Sequence, residues 1–379
     1  MLILLTSPSA IIVGTGPDAG IAKVLMATKA LGYPTALVSN HAEPPWFQQF
    51  FANTGVQFIR VPGRQNGAII SHNAQQFEMA PYNALVLAAT QDDIRMGKNG
   101  GAVLIAAGWS SDKRVQDLGI RVNDPSELQQ VINLVANWAG QWWLSADAPA
   151  YSVKALADLS GYGKSDAQQV FAKKLTQTVK NGGANLNALL AITTRSLLVD
   201  GFGEVEGLVW GTYPSSGSSN DDTDVLSDFT HRLRTTVSRV RFARRGDPLF
   251  VRHAPSPKRS AGGGGDRTDP ATQIETIHLN PFYAESGRLA GKHVVVVDDC
   301  TTYGVSFGVA SALLRAAGAA AVTCVALGKF GNQLRYYEIV INSDPFAPIA
   351  SGAYEVRQAT YFQGVSSSGA QNALQSLIP

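Results

Sequence analysis

The stretch VVVVDDCTTYGVS, residues 294–306, decides how the carboxy-terminal half of the chain is read. Four consecutive valines suit a strand covered on both faces, as in a parallel sheet flanked by helices. Two acids, Asp298 and Asp299, stand where that strand ends, and the carboxyl ends of strands are where ligands sit in open α/β sheets. A turn rich in small and hydroxyl-bearing residues follows, then the helical pattern FGVASALLRAAG (307–318), with Gly318 as its natural stop. Backbone N–H groups of such a turn, together with the helix N-terminus, form a cradle for an anion. Thr302 and Ser306 add hydroxyl donors. A phosphate in the turn and a polyol on the two carboxylates describe a ribose 5-phosphate.

Working outward, apolar runs predict strands at VEGLVWGT (205–212), DPLFVRHA (247–254) and AVTCVALG (321–328). YPSSGSS (213–219) ends the first of these, and DDTDVLSDFTHRLRTTV (221–237) reads as a helix whose early acids favour its dipole. A long polar segment, residues 255–282, precedes the valine strand and holds four consecutive glycines, Gly262 to Gly265. Such a run is flexible.

Residues 294–306 resemble the motif with which type I phosphoribosyltransferases bind 5-phosphoribosyl 1-pyrophosphate (PRPP): apolar strand, paired acids, then a Thr-x-Gly-x-Thr/Ser loop. The resemblance implies that Asp298 and Asp299 hold the ribose hydroxyls, bind Mg²⁺ and serve as the catalytic acids. It also implies that Cys300, Thr301, Thr302, Tyr303, Gly304, Val305 and Ser306 complete the PRPP site. The element order extends the likeness over about residues 205–330. Tyr213, Pro214, Ser215 and Ser216 occupy the pyrophosphate-loop position, and Lys258, Arg259 and Arg267 flank the glycines where the family carries a mobile hood. Thr272-Gln273 and Asn280-Pro281-Phe282 are similar to elements of ComF-like proteins, without the cysteine-rich zinc module some of them carry. Two positions depart from the pattern: Tyr303 replaces a small residue, and Ser306 replaces the final threonine while keeping its hydroxyl. The expected activity is transfer of ribose 5-phosphate from PRPP to a nitrogen acceptor, nucleobase-like, with release of pyrophosphate. The alternative is a non-catalytic protein that senses PRPP or a nucleotide.

The first half alternates strands and helices in the same way. LILLTS (2–7), TALVSN (35–40), VQFIRV (56–61), ALVLAA (84–89) and AVLIAA (102–107) predict a parallel sheet. The apolar start MLILLTSPSAIIVG lacks a basic flank and is broken by Ser-Pro-Ser, so a buried first strand is expected rather than a signal peptide. QDDIRMGKNGGAVLIAAGW (91–109) resembles the last motif of haloacid-dehalogenase-like hydrolases, and Ser39 fits their second motif. The aspartate nucleophile of that family and its partner acid are missing: Leu-Thr-Ser-Pro-Ser stands there, and Ala88-Ala89 replaces Gly-Asp. A hydroxyl cannot replace a carboxylate that must attack phosphorus and bind magnesium. The resemblance therefore implies a degenerate copy, with Asp92 and Asp93 serving as a helix cap.

The whole is expected to be α/β: two Rossmann-like parallel-sheet domains, residues 1–125 and 201–379, joined by a helical connector, 126–200. That connector contains ELQQVINLVANWAGQWWL and SDAQQVFAKKLTQTVKN, with Ser165 as N-cap. The chain has 379 residues, 45% hydrophobic and 16% charged, with a net charge of +2. That balance gives no case for a general nucleic-acid surface, and no stretch reaches the roughly 20 apolar residues of a membrane span. Two cysteines, Cys300 and Cys324, build neither a disulfide framework nor a zinc site and suit a reducing, cytoplasmic compartment. The first domain is the expected docking surface for a protein partner or a second copy. His253 and His278 are candidate general bases, and Trp138, Trp142 and Trp143 read as core.

Overall fold

A computed structural model describes residues 1–183, 185–237, 245, 247–256, 266–285 and 287–378. The chain divides into two compact units. The first comprises residues 1–140, 187–206 and 231–244, and the second holds 141–186, 207–230 and 245–379.

In the first unit all five predicted runs form strands: β1 (Ile3–Thr6), β2 (Thr35–Ser39), β3 (Gln57–Arg60), β4 (Ala84–Ala88) and β5 (Val103–Ala107). A short sixth strand, β6 (Ile120–Val122), completes a sheet of order β3-β2-β1-β4-β5-β6. Every pairing is parallel. Strands β1, β2, β4 and β5 are buried at every residue, which is why they read as unbroken apolar runs rather than as alternating ones. The apolar amino terminus thus forms β1 at the centre of the sheet. The strand order reverses between β1 and β4, the place where a crevice opens at the carboxyl edge of such sheets. Helices α1 (Ala19–Ala30), α2 (Ala68–Gln76), α3 (Gln91–Gly100) and α4 (Pro125–Asn137) belong to this unit. Helix α3 packs against β4 and β5.

The second unit is built on the sheet order β9-β12-β13-β8-β7-β16. Its strands are β7 (Leu144–Asp147), β8 (Ser152–Asp158), β9 (Val209–Thr212), β12 (His293–Thr301), β13 (Ala321–Lys329) and β16 (Val365–Ser366). The four central strands β9, β12, β13 and β8 run parallel, and β7 and β16 pair antiparallel at one edge. Two further pairs stand apart: β10 (Phe250–Arg252) with β11 (Ile277–Leu279), and β14 (Arg335–Ile341) with β15 (Tyr354–Tyr361). The valines Val294 to Val297 are fully buried. Helix α5 (Asp166–Asn181), capped by Ser165, packs near β12 and β13, and α6 (Val305–Ala316) packs against the same two strands.

The architecture is α/β with parallel sheets, as expected, but residues 126–200 are not purely helical. Helix α4 ends at Asn137 instead of continuing through the tryptophans, and residues 144–158 supply two strands of the second sheet. Strand β8 carries Lys154 and the run Ala155, Leu156 and Ala157, so its composition suits a helix as well as a strand. Parallel pairing with β13 decides the matter. Trp138 is core: it is buried, and its Nε1 donates to Ser196 Oγ at 2.9 Å.

Candidate functional site

Strands β9 and β12 are parallel neighbours, with Thr212 opposite Val297. The backbone N–H of Tyr213 donates to Val297 O at 2.9 Å. The 213–216 loop and the acid pair therefore leave the same sheet edge side by side. Asp298 is only 9% exposed. Its Oδ1 accepts from Asp299 N at 2.8 Å, the Ser306 side chain bonds to its carboxylate, and Asp299 Oδ1 accepts from Cys300 N at 2.5 Å. Burial, reinforced by the adjacent Asp299 carboxylate, holds the Asp298 carboxyl well above its ordinary value of 3.8.

That shift has a sign that can be measured. A raised carboxyl favours the folded state fully below the ordinary value near 3.8, and its contribution is lost as pH rises through the folded value. The denaturation midpoint of the second unit should carry this falling component on going from acid toward neutral pH. Asp298→Asn should remove it, and an unchanged pH profile in that variant would contradict the assignment.

The turn beyond the acids is shaped by Gly304, which caps α6 in the left-handed conformation (φ +82°). A Cβ there would lie 3.0 Å from Leu334 Cδ1 and 3.1 Å from the Arg335 carbonyl, so the position excludes larger residues on two counts. Cys300 and Thr301 belong to the end of β12, and the helix begins at Val305, two residues earlier than its apolar pattern suggested. Thr302, Tyr303 and Ser306 are half-buried around the turn. The Arg267 guanidinium lies 5.8 Å from the Tyr303 ring centroid, within cation–π range, so this residue of the glycine-rich segment lies beside the turn. Lys258, Arg259 and the four glycines lie outside the described residues. Burial, with Asp299 and Asp298 nearby, pushes the Cys300 thiol well up, which disfavours its thiolate.

In the 213–216 loop, Tyr213 and Pro214 are buried, Ser216 is half-buried and Ser215 is exposed. The Tyr213 hydroxyl donates to Gln273 Oε1 at 2.8 Å. His253 and His278 face each other, with ring centroids 5.3 Å apart, and His278 Nδ1 lies 2.8 Å from the Leu279 carbonyl.

Two charged residues at this end of the unit were not found from sequence. Arg252 on β10 is buried and bonds to the 213–216 loop. Lys329, the last residue of β13, is 1% exposed and stands in register with Thr301 on one side and Asp158 on the other. Burial lowers its ammonium to about 8 against the opposing pull of Asp158. The signal available for Lys329 was a cation closing an apolar strand beside the acid-bearing one.

The crevice of the first unit is filled by its own side chains. Asp93 is fully buried. Its Oδ2 accepts from Ser7 Oγ, Ala89 N and Thr90 N, each at 2.9 Å, and its Oδ1 pairs with Arg64. Thr90 and Asp93 form a reciprocal capping box at the start of α3, so the helix-cap reading of Asp93 holds. Ser7 stands beyond β1 with no carboxylate beside it in Thr6-Ser7-Pro8-Ser9.

Among the described residues no group of three or more His, Cys, Asp or Glu side chains gathers as a metal cage. Mg²⁺ is characteristically held by one or two carboxylates plus substrate phosphates. The carboxylates of Asp298 and Asp299 fit an ion of that kind, because a cation there would offset the burial and the neighbouring Asp299 charge that raise Asp298.

No family model and no curated protein matches the chain. Two solved structures are similar to part of it. One is described as a phosphoglycolate phosphatase from Lactobacillus delbrueckii subsp. bulgaricus, with 17% identity, 31% of this chain and 54% of that chain covered, and a TM-score of 0.26. The other is described as a HAD family hydrolase from Streptomyces avermitilis, with 13% identity, 32% of this chain and 74% of that chain covered, and a TM-score of 0.27. The match spans about half the length of the first of these proteins.

Proposed function

We propose that the second unit is a magnesium-dependent phosphoribosyltransferase that moves ribose 5-phosphate from PRPP to a nitrogen nucleophile of the nucleobase class. The observation that carries this reading is the common sheet edge of three parts. These are an acid pair, Asp298 buried and Asp299 half-buried, a glycine-shaped turn at a helix N-terminus, and a short loop on the neighbouring strand. Asp298 and Asp299 accept hydrogen bonds from the ribose hydroxyls. The 302–306 turn and the first N–H groups of α6 hold the 5-phosphate. The 213–216 loop faces the pyrophosphate. Asp298 and Asp299 would hold magnesium together with substrate oxygens, and the ion would supply neutralisation of the leaving group's charge. A C1–N bond forms as the C1–O bond to pyrophosphate breaks, and the carboxylates stabilise the positive charge that develops on the sugar ring.

Tyr303 favours a second reading, a protein that binds PRPP without turnover, because a bulky ring with Arg267 over it narrows the phosphate turn. Pyrophosphate release separates the two. The full chain with PRPP, Mg²⁺ and a panel of nucleobases and small amines should liberate pyrophosphate with at least one acceptor. Binding of PRPP with no release across the panel would establish the sensor instead. No described helix is long and apolar enough to cross a membrane.

A further inference from the structure

We infer that Arg252 is the positioning residue of the pyrophosphate site, and that the site itself is a backbone nest formed by the N–H groups of Ser215 and Ser216. The inference rests on the PRPP reading above and adds to it the device that shapes the loop.

Arg252 is 5% exposed. Its Nε donates to Ser215 O at 2.5 Å and its Nη2 to Pro214 O at 3.2 Å. Nη2 also reaches Gln273 Oε1 at 3.1 Å, and Nη1 reaches Thr276 Oγ1 at 2.8 Å. The Arg252 backbone is itself fixed by Asn220, whose side chain accepts from its N–H at 2.8 Å and donates to its carbonyl at 2.9 Å. A third consecutive carbonyl, that of Ser216, accepts from Ser256 N at 3.2 Å.

In a trans peptide the C=O and N–H point in opposite directions. Holding the carbonyls of Pro214 and Ser215 against the guanidinium therefore turns the N–H groups of Ser215 and Ser216 the other way. Neither N–H donates to any atom of the described residues, while Ser215 is exposed and Ser216 half-buried. Successive outward N–H groups of this kind bind anions, and the buried guanidinium behind them adds a positive field. The loop starts beside Val297, one residue before Asp298, so an anion on it lies next to the ribose-binding acids. The guanidinium's planar fork matters: lysine keeps the charge but cannot hold two carbonyls at once in that geometry.

The test is calorimetry on the full chain with two separate ligands, inorganic pyrophosphate with Mg²⁺ and ribose 5-phosphate. Arg252→Gln should weaken pyrophosphate at least about ten-fold, the worth of one charge-assisted contact, and leave ribose 5-phosphate within about two-fold of wild type by the same scale. Arg252→Lys should rescue only part of the loss. A merely structural arginine would lower both affinities together, and that result overturns the inference. Should Arg252→Gln fail to fold, amide NMR of the wild type decides. Pyrophosphate should shift the Ser215 and Ser216 amide protons downfield, and unmoved resonances at saturating pyrophosphate overturn the nest. If the wild type binds ribose 5-phosphate and Arg252→Gln still binds pyrophosphate normally, the inference falls while the PRPP reading stands. If the wild type binds neither ligand, both fall.

Discussion

Arg64→Ala is expected to destabilise the first unit by about 3–5 kcal/mol, the cost of leaving one partner of a buried ion pair uncompensated. Asp93 is fully buried and Arg64 is 6% exposed, so neither charge can turn to solvent when the other is removed. Asp93→Ala should be at least as severe, because Ser7 Oγ and the N–H groups of Ala89 and Thr90 lose their shared acceptor as well. Replacing both partners with apolar residues of similar size should cost less than the two single changes together, since no charge is then stranded. Hydrogen exchange of the β1 and β4 amides reads this directly. Loss of protection by less than about 1 kcal/mol in Arg64→Ala, the scale of an exposed pair, would show that the pair is weak. Ser7, just beyond β1, donates to Asp93, which makes the crevice of the first unit a structural feature.

The second large effect concerns the acid pair. Asp298→Asn/Asp299→Asn should lose at least about 100-fold in PRPP affinity, because two charge-assisted sets of hydrogen bonds to the ribose are each worth about 1.5–3 kcal/mol. The variant should fold at least as well as wild type. Burial and like-charge repulsion already disfavour the ionised Asp298, and asparagine keeps the shape without the charge. Lost binding with retained stability separates a site role from a packing role. Equal PRPP affinity in variant and wild type would remove these residues from the site.

How legible this was depended on whether the physics was local. The run Val294 to Val297 announces a strand covered on both faces, and it is one. The paired acids, the glycine turn and the helix follow within a dozen residues, so the sequence carries their arrangement almost whole. Gly304 is a case in point: its left-handed backbone is a property of the turn alone. Strands β7 and β8 were hidden because their residues suit a helix equally well: β8 is fixed by pairing with β13, which lies far along the chain, and β7 by pairing with β8 and the still later β16. Arg252 was hidden for the same reason. Its work is done on Pro214 and Ser215, which no periodicity joins to it. Lys329 and Asp158 become neighbours only through sheet register.

The central claim is that the second unit holds PRPP at the edge shared by the acid pair, the Gly304 turn and the 213–216 loop. Titration of the wild-type full chain with PRPP in the presence and absence of Mg²⁺, followed by calorimetry, tests it most directly. The account predicts saturable binding at a single site that requires Mg²⁺ and is displaced by ribose 5-phosphate together with pyrophosphate. Absence of saturable heat with PRPP up to the millimolar range, where binding is worth only about 4 kcal/mol, would contradict it.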